Sequence, residues 1–175
     1  LRVVDHVVPR ELIHTPKGEW VIDFGQEMTG WVEFNCDLPE GARAFLQFGE
    51  LLQNDCFYNE NLRTAKAEYT FISAGKKARV RPHFTFYGFR FMKVEGIENI
   101  QLSDFDGCVI HSDIPVIGEF TTSNAKVNRL IQNAFWGQIG NFLDTPTDCP
   151  QRDERMGWTG DAHVFAPTAS FNMYT

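Results

Sequence analysis

The sequence predicts a mainly β chain: an antiparallel β-sandwich up to about residue 117, with helices after it. Three observations predict this. Short runs of alternating apolar residues recur between Gly, Pro and Asp as far as about residue 115. The apolar spacing then changes to the i, i+3, i+4 rhythm of a helix face near Thr122. Aromatic residues make up 14% of the chain, with 16 Phe, a load that suits large buried sheet faces or a sugar-stacking surface. Most of these Phe are expected in the core.

The strands follow in order. Trp20-Val-Ile-Asp-Phe24 lies between Gly18 and Gly25, and Trp31-Val-Glu-Phe34 follows Gly30. Ala44, Leu46 and Phe48 alternate with Phe45 and Gln47, which puts one set on the core and the other toward water. Tyr69-Thr-Phe-Ile72 is aromatic and β-branched, and Phe89-Arg-Phe-Met-Lys-Val-Glu95 alternates between Gly88 and Gly96. Cys108-Val-Ile-His111 and Gly118-Glu-Phe-Thr121 close the series. The polar stretch from Asn54 to Arg63 breaks the rhythm and reads as a long loop or crossover. Ser123 is the expected N-cap of the first helix, with Val127, Leu130, Ile131, Ala134 and Phe135 on its apolar face and Gly137 and Gly140 weakening its end. Asp144 to Gly157 reads as an irregular loop. A second helix begins near Thr159, with Pro167 as a kink. The expected division is a sandwich domain over 1–117 and the start of a helical domain over 118–175.

Bulk properties remove several classes of function. Over 175 residues the net charge is −7, with no basic stripe, so nucleic acid is not an expected partner. Lys76-Lys-Ala-Arg-Val-Arg81 reads as a solvated hairpin. No apolar run approaches the ~20 residues that span a bilayer, so no membrane partner is expected. Cys36, Cys56, Cys108 and Cys149 show neither CxxC nor zinc-type spacing and are expected free and buried. The five His are scattered, and neither metal nor cofactor is implied. Leu1 and Thr175 both read as interior positions of a longer protein.

Chemistry concentrates in Asp148-Cys-Pro-Gln-Arg-Asp-Glu-Arg-Met-Gly-Trp-Thr-Gly-Asp161. A surface loop carries such charges harmlessly, and composition alone favours that reading. Two features argue against it. Cys149, Met156, Trp158 and Phe165 seek burial, and Pro146, Pro150, Gly157 and Gly160 in and beside the run hold the backbone more tightly than a solvated loop requires. A carboxylate beside Arg stays ionised, while one in a drier spot holds its proton near neutral pH. A sugar hydrolase uses that division. One acid protonates the departing glycosidic oxygen, other polar groups hold sugar hydroxyls, and an indole covers the C–H face of the ring. Asp148, Asp153, Glu154 and Trp158 therefore make a candidate glycosidase half-site.

The stretch from Asp144 to Ala162 closely resembles the signature of bacterial α-L-rhamnosidases of glycoside hydrolase family 78. Val21-Ile-Asp-Phe-Gly-Gln-Glu-Met-Thr-Gly-Trp31, Asn61-Leu-Arg63 and Phe84-Thr-Phe-Tyr-Gly-Phe-Arg90 are similar to the family's sandwich domain. The resemblance covers most of the chain from about residue 20. It implies a jelly-roll-like β-sandwich followed by a catalytic (α/α)6 barrel, here incomplete. It implies Glu154 as general acid, with Asp148, Arg152 and Trp158 against the sugar and Asp153 and Asp161 shaping the site. Met156 stands where the family often has Leu, a volume-conserving exchange. The implied reaction removes terminal α-L-rhamnose from rhamnosides with inversion, using a downstream Glu as base, so these residues alone are expected to be inactive.

Two other readings stay open from the residues: a non-catalytic carbohydrate-binding sandwich, and an inverting (α/α)6 glycosidase for another sugar. The first helix also presents an apolar face. The expected partners are therefore a rhamnose-containing oligosaccharide or glycoside and either the rest of the barrel or a second copy of the chain.

Overall fold

The computed structural model describes residues 1–175 and is mainly β, with 39% strand and 21% helix. Ten strands come first: β1 (Arg2–Val7), β2 (Glu11–His14), β3 (Trp20–Cys36), β4 (Arg43–Gly49), β5 (Leu51–Gln53), β6 (Cys56–Tyr58), β7 (Glu68–Ile72), β8 (Ala78–Val80), β9 (Tyr87–Glu95) and β10 (Phe105–His111). Helix α1 (Ala125–Asn141), the two-residue strands β11 (Phe142–Leu143) and β12 (Thr145–Pro146), and helix α2 (Thr159–Asn172) complete the chain.

Eight of the strands form one curled antiparallel sheet in the order β1-β10-β3-β9-β4-β7, with β2 and β8 as further partners of β3. β3 is the shared element. Its first half pairs with β2 and β9, and its second half pairs with β10 and β8. The sequence suggests two strands here, broken at Gly25 and Gly30. The structure runs one strand through both. Gly25 takes φ +73°, and the register with β9 shifts between Asp23 and Met28. These glycines mark a bulge and a close approach rather than strand ends.

The bulge is held electrostatically. Asp23 is buried and accepts two hydrogen bonds of 2.8 Å from the Arg90 guanidinium and one of 2.6 Å from the Gly25 amide. Burial pushes the Asp23 carboxyl up, but these donors outweigh it and leave its pKa below the usual carboxylate value.

The sheet curls around a single core of Ile22, Phe24, Met28, Val32, Phe34, Ala44, Leu46, Phe48, Phe89, Met92 and Val94 with their neighbours. Phe34 of β3 stacks on Phe105 of β10 and meets Phe71 of β7 edge-on at 6.3 Å, which closes the curl across strands far apart in the sheet order. Ala44, Leu46 and Phe48 point inward, in keeping with their alternation. All four Cys are free and buried. Residues 118–121 form no strand; in that region only Val116 makes an isolated bridge, to Met173. Ala78–Val80 is paired to β3, so only the Lys76–Lys77 end of the basic stretch is a turn. The Asn54–Arg63 stretch contains β6 and a 3-10 turn over Glu60–Leu62 rather than a plain loop.

Helix α1 differs from expectation in its cap, and its apolar stripe is divided between the sheet and the outside. The cap is Asn124, one residue past Ser123; its side chain accepts from the amides of Lys126 and Val127. Leu130 is 64% exposed and Ala134 is exposed too, while Phe135, Trp136, Gln138 and Ile139 turn inward. The sheet imposes this choice. Thr29 donates to the Gly140 carbonyl at 2.9 Å, and Trp136 packs on the main core. Ile139, Phe142, Ala169 and Met173 form a second core between the helices. Gln138 ties them further, donating to the Ala169 carbonyl and accepting from Asn172 at 2.7 Å. Pro167 lies within α2 without ending it. Val164, at the edge of the cleft between the two helices, and Phe171 remain exposed.

Gly30 carries the tightest constraint in the sheet. A Cβ there would stand 1.8 Å from the Cys108 carbonyl oxygen of β10. Gly30→Ala is expected to cost roughly 3 kcal/mol or more, because backbone rather than a movable side chain must yield. Urea unfolding checks this, and an unchanged midpoint would contradict the contact.

Candidate active site

The Asp144–Gly157 loop leaves α1 through the β11/β12 turn, with Asp144 at φ +65°. Its two limbs are stitched at residues 148 and 156. The Asp148 amide donates to the Met156 carbonyl, and the Met156 amide donates to Asp148 Oδ1, both at 3.0 Å. Gln151 to Arg155 project from this closed base. Within it, Cys149 Sγ donates to Asp148 Oδ2 at 3.2 Å and accepts from Arg152 Nε at 3.1 Å.

Arg152 is the internal hinge of charge. Its Nη2 lies 3.1 Å from Glu154 Oε2 and 3.7 Å from Asp148 Oδ2. Glu154 receives two more donors: Arg63 Nη1 on Oε2 at 3.1 Å, and the Trp158 indole N–H on Oε1 at 3.1 Å. The loop thus brings Asp148, Arg152, Glu154 and Trp158 into one network. Burial pushes the Asp148 carboxyl up, yet the Cys149 thiol and nearby amides overcome this and hold it below the usual range. Each of its oxygens accepts a bond from its own loop, and the residue also lines the cleft between the helices.

The other two expected residues sit at the margins. Asp153 accepts a hydrogen bond from Thr64, which lowers its pKa, and faces the sheet's loop rather than Trp158. Asp161 is exposed in the first turn of α2 and makes no side-chain hydrogen bond. Asp148, Trp158 and Asp161 line a cleft of about 830 Å³ between α1 and α2, with Phe142, Phe165 and Gln138. Glu154 does not line this cleft; its carboxylate turns toward Arg63.

The sheet presses on the loop from beneath. Gly88 of β9 lies so close to Gln151 that a Cβ would stand 2.8 Å from the Gln151 Cβ and 3.0 Å from its backbone. Arg155, at φ +50°, places its guanidinium 4.5 Å over the Phe86 ring, and burial lowers its pKa. Glu50 accepts from Asn61 at 2.6 Å and faces a second cleft that Glu27 and Gln151 also line. These sheet-borne partners (Glu27, Glu50, Asn61, Arg63, Thr64) are absent from the sequence-based candidates. Asn61 and Arg63 lie in the polar Asn54–Arg63 break and in a family-like stretch, and Glu27 lies in another, but nothing local ties any of them to the loop.

Two clusters bring His, Cys or carboxylate atoms within 4.8 Å of one another: Asp148, Cys149 and Glu154, and His6, Asp106 and Cys108. Each already holds a cation of its own. Arg152 contacts all three members of the first, and Arg79 lies 3.5 Å from Asp106 in the second. Both are ion-paired clusters.

A β-sheet domain, a helical pair and a loop that gathers carboxylates, guanidiniums and an indole meet in this chain. The comparisons give the family. Residues 13–111 match the bacterial α-L-rhamnosidase concanavalin-like domain, and residues 115–175 match the bacterial α-L-rhamnosidase 6 hairpin glycosidase domain. The chain belongs to the bacterial α-L-rhamnosidase family. It is 39% identical to α-L-rhamnosidases of Alteromonas sp. strain LOR and Streptomyces avermitilis, covering 94% and 99% of this chain but 18% and 17% of those proteins. The crystal structure of the Streptomyces avermitilis enzyme complexed with L-rhamnose superposes with TM-score 0.94 over 98% of this chain and 17% of that one, at 39% identity. An α-L-rhamnosidase from Aspergillus terreus superposes with TM-score 0.96 at 36% identity, over 98% of this chain and 20% of that one.

The second cleft generates a pH prediction. Burial first, and then the neighbouring Glu50, push the Glu27 carboxyl up to about 9, against the pull of Arg90. A raised folded-state pKa means that unfolding releases this proton. Stability from this group is therefore full below the ordinary Glu range and falls as pH rises toward 9. Glu27→Gln is expected to stabilise the chain at neutral pH by roughly 1–3 kcal/mol. It should also flatten the decline between pH 5 and 8. Urea titrations across that range check both effects, and an equal slope in the variant would refute the assignment.

Proposed function

We propose that these residues supply the acid half of an inverting α-L-rhamnosidase acting on terminal α-L-rhamnose in glycosides. One observation carries the reading: the Glu154 carboxylate is held by Arg63 and Arg152 on Oε2 and by the Trp158 indole on Oε1. Oε2 is committed to two guanidiniums. The two guanidiniums favour the ionised carboxylate once its proton has left; in the acid form the proton sits on Oε1, whose donor here is the neutral indole. Glu154 gives that proton to the glycosidic oxygen as the bond to the anomeric carbon breaks and its electron pair goes to the leaving group.

Inversion needs a base about 6.5–9.5 Å from the acid, with a water between them. Asp148 is too close, within 4.8 Å of Glu154, and its oxygens are occupied. In this reading, as the family resemblance implies, the base is a Glu further along the barrel. In the same reading the domain division falls at 117/118, near the point where the two family matches adjoin. In this reading Asp148, Arg152 and Trp158 hold the sugar, and Asp153 and Asp161 shape the rim. Further barrel helices cover the exposed Leu130, Val164 and Phe171.

In the intact enzyme carrying this segment, Glu154→Gln is expected to lower kcat on natural rhamnosides by on the order of 10²- to 10⁴-fold with an unchanged fold. Steady-state kinetics and circular dichroism check this; an unimpaired variant removes Glu154 from the acid role. The 175-residue chain alone is expected to show no turnover of an aryl rhamnoside above its own Glu154→Gln control.

A further inference from the structure

We infer that Arg63, on the β-sandwich, is a positioning residue for Glu154, so that the sandwich forms part of the catalytic apparatus. This rests on the acid assignment above. Arg63 follows the Glu60–Leu62 turn and sits 91 residues before Glu154, on the other side of the sandwich–helix seam. Its guanidinium reaches Glu154 Oε2 at 3.1 Å, on the same oxygen as Arg152. Arg152 belongs to the acid's own loop and moves with it. Arg63 alone refers the carboxylate to the rigid sheet. Its neighbour Thr64 grips Asp153, and Asn61 bonds Glu50 at 2.6 Å, so the 61–64 segment is itself anchored where it meets the loop.

Two features show that the contact serves orientation rather than stability. The Arg63 side chain is 55% exposed, and an exposed ion pair contributes little to folding. Its backbone sits at φ +59°, ψ −118°, a conformation that glycine adopts more readily than any L side chain. The fold would be better served by Gly at this position, and what Arg adds is the guanidinium on Glu154.

Those features separate structure from function experimentally. In the intact enzyme, Arg63→Gly is expected to keep or raise Tm. It should lower kcat about 10- to 100-fold on a rhamnoside with a poor alkyl leaving group, the scale expected when a catalytic group is misplaced. On a dinitrophenyl rhamnoside, whose leaving group needs no proton, kcat should hold nearly constant. Arg63→Lys should restore part of the loss. Equal losses on both substrates, or no loss on either, would overturn the positioning role while Glu154→Gln still discriminates between the substrates. If Glu154→Gln itself shows no leaving-group dependence, the acid assignment and the role of Arg63 fall together.

Discussion

The site depends on a seam at which a sheet made early in the chain supports a loop made late. The loop's own bonds close its base, between Asp148 and Met156. They do not fix where its tip lies in space. That comes from four contacts with the sheet and its loops: Gly88 beneath Gln151, Phe86 beneath Arg155, Thr64 on Asp153 and Arg63 on Glu154. Each is chemically different, and together they constrain four of the five residues from Gln151 to Arg155. A loop carrying adjacent like and unlike charges would otherwise populate many arrangements, since each exposed pair is weak on its own.

The same seam explains the distribution of burial. Asp153 is exposed, but the charges of Arg152, Glu154 and Arg155 are neither fully solvated nor sunk in the core. They lie between, with Arg155 desolvated against an aromatic ring and Glu154 at 26% side-chain exposure. That intermediate position keeps acidic and basic groups in fixed geometry while leaving the indole of Trp158 half open at the cleft. Beneath it, Glu27 and Glu50 line a second cleft, where burial pushes both carboxyls up and their mutual repulsion adds to the rise at Glu27.

Much of this was legible in the residues, and the exceptions share a cause. Alternation placed Ala44, Leu46 and Phe48 correctly because period-two patterning is local. The motif from Asp148 to Trp158 was legible because all its members lie in one stretch. Gly25 and Gly30 read as strand ends, since nothing local distinguishes a bulge from a turn. The apolar stripe of α1 was legible, but Leu130 and Phe135 are equally apolar, and only docking on Thr29 and the main core shows that Phe135 turns inward while Leu130 stays open. Arg63 escaped for the same reason: its partner lies 91 residues away. Local physics reveals elements and motifs, while pairings across the seam require the folded chain.

β3 also has a history in time. Among its partners only β2 precedes it in the chain, and β10 begins about 70 residues after β3 ends, a long-range pairing of the kind that slows folding. At ribosomal rates of roughly 5–20 residues per second, the strand's second half waits seconds for that partner. During that interval Val32 and Phe34, fully buried in the finished molecule, have no neighbour from β10 to cover them. The strand that unifies the mature sheet is therefore the nascent chain's most exposed adhesive surface, and the point at which a chaperone would have most to shield.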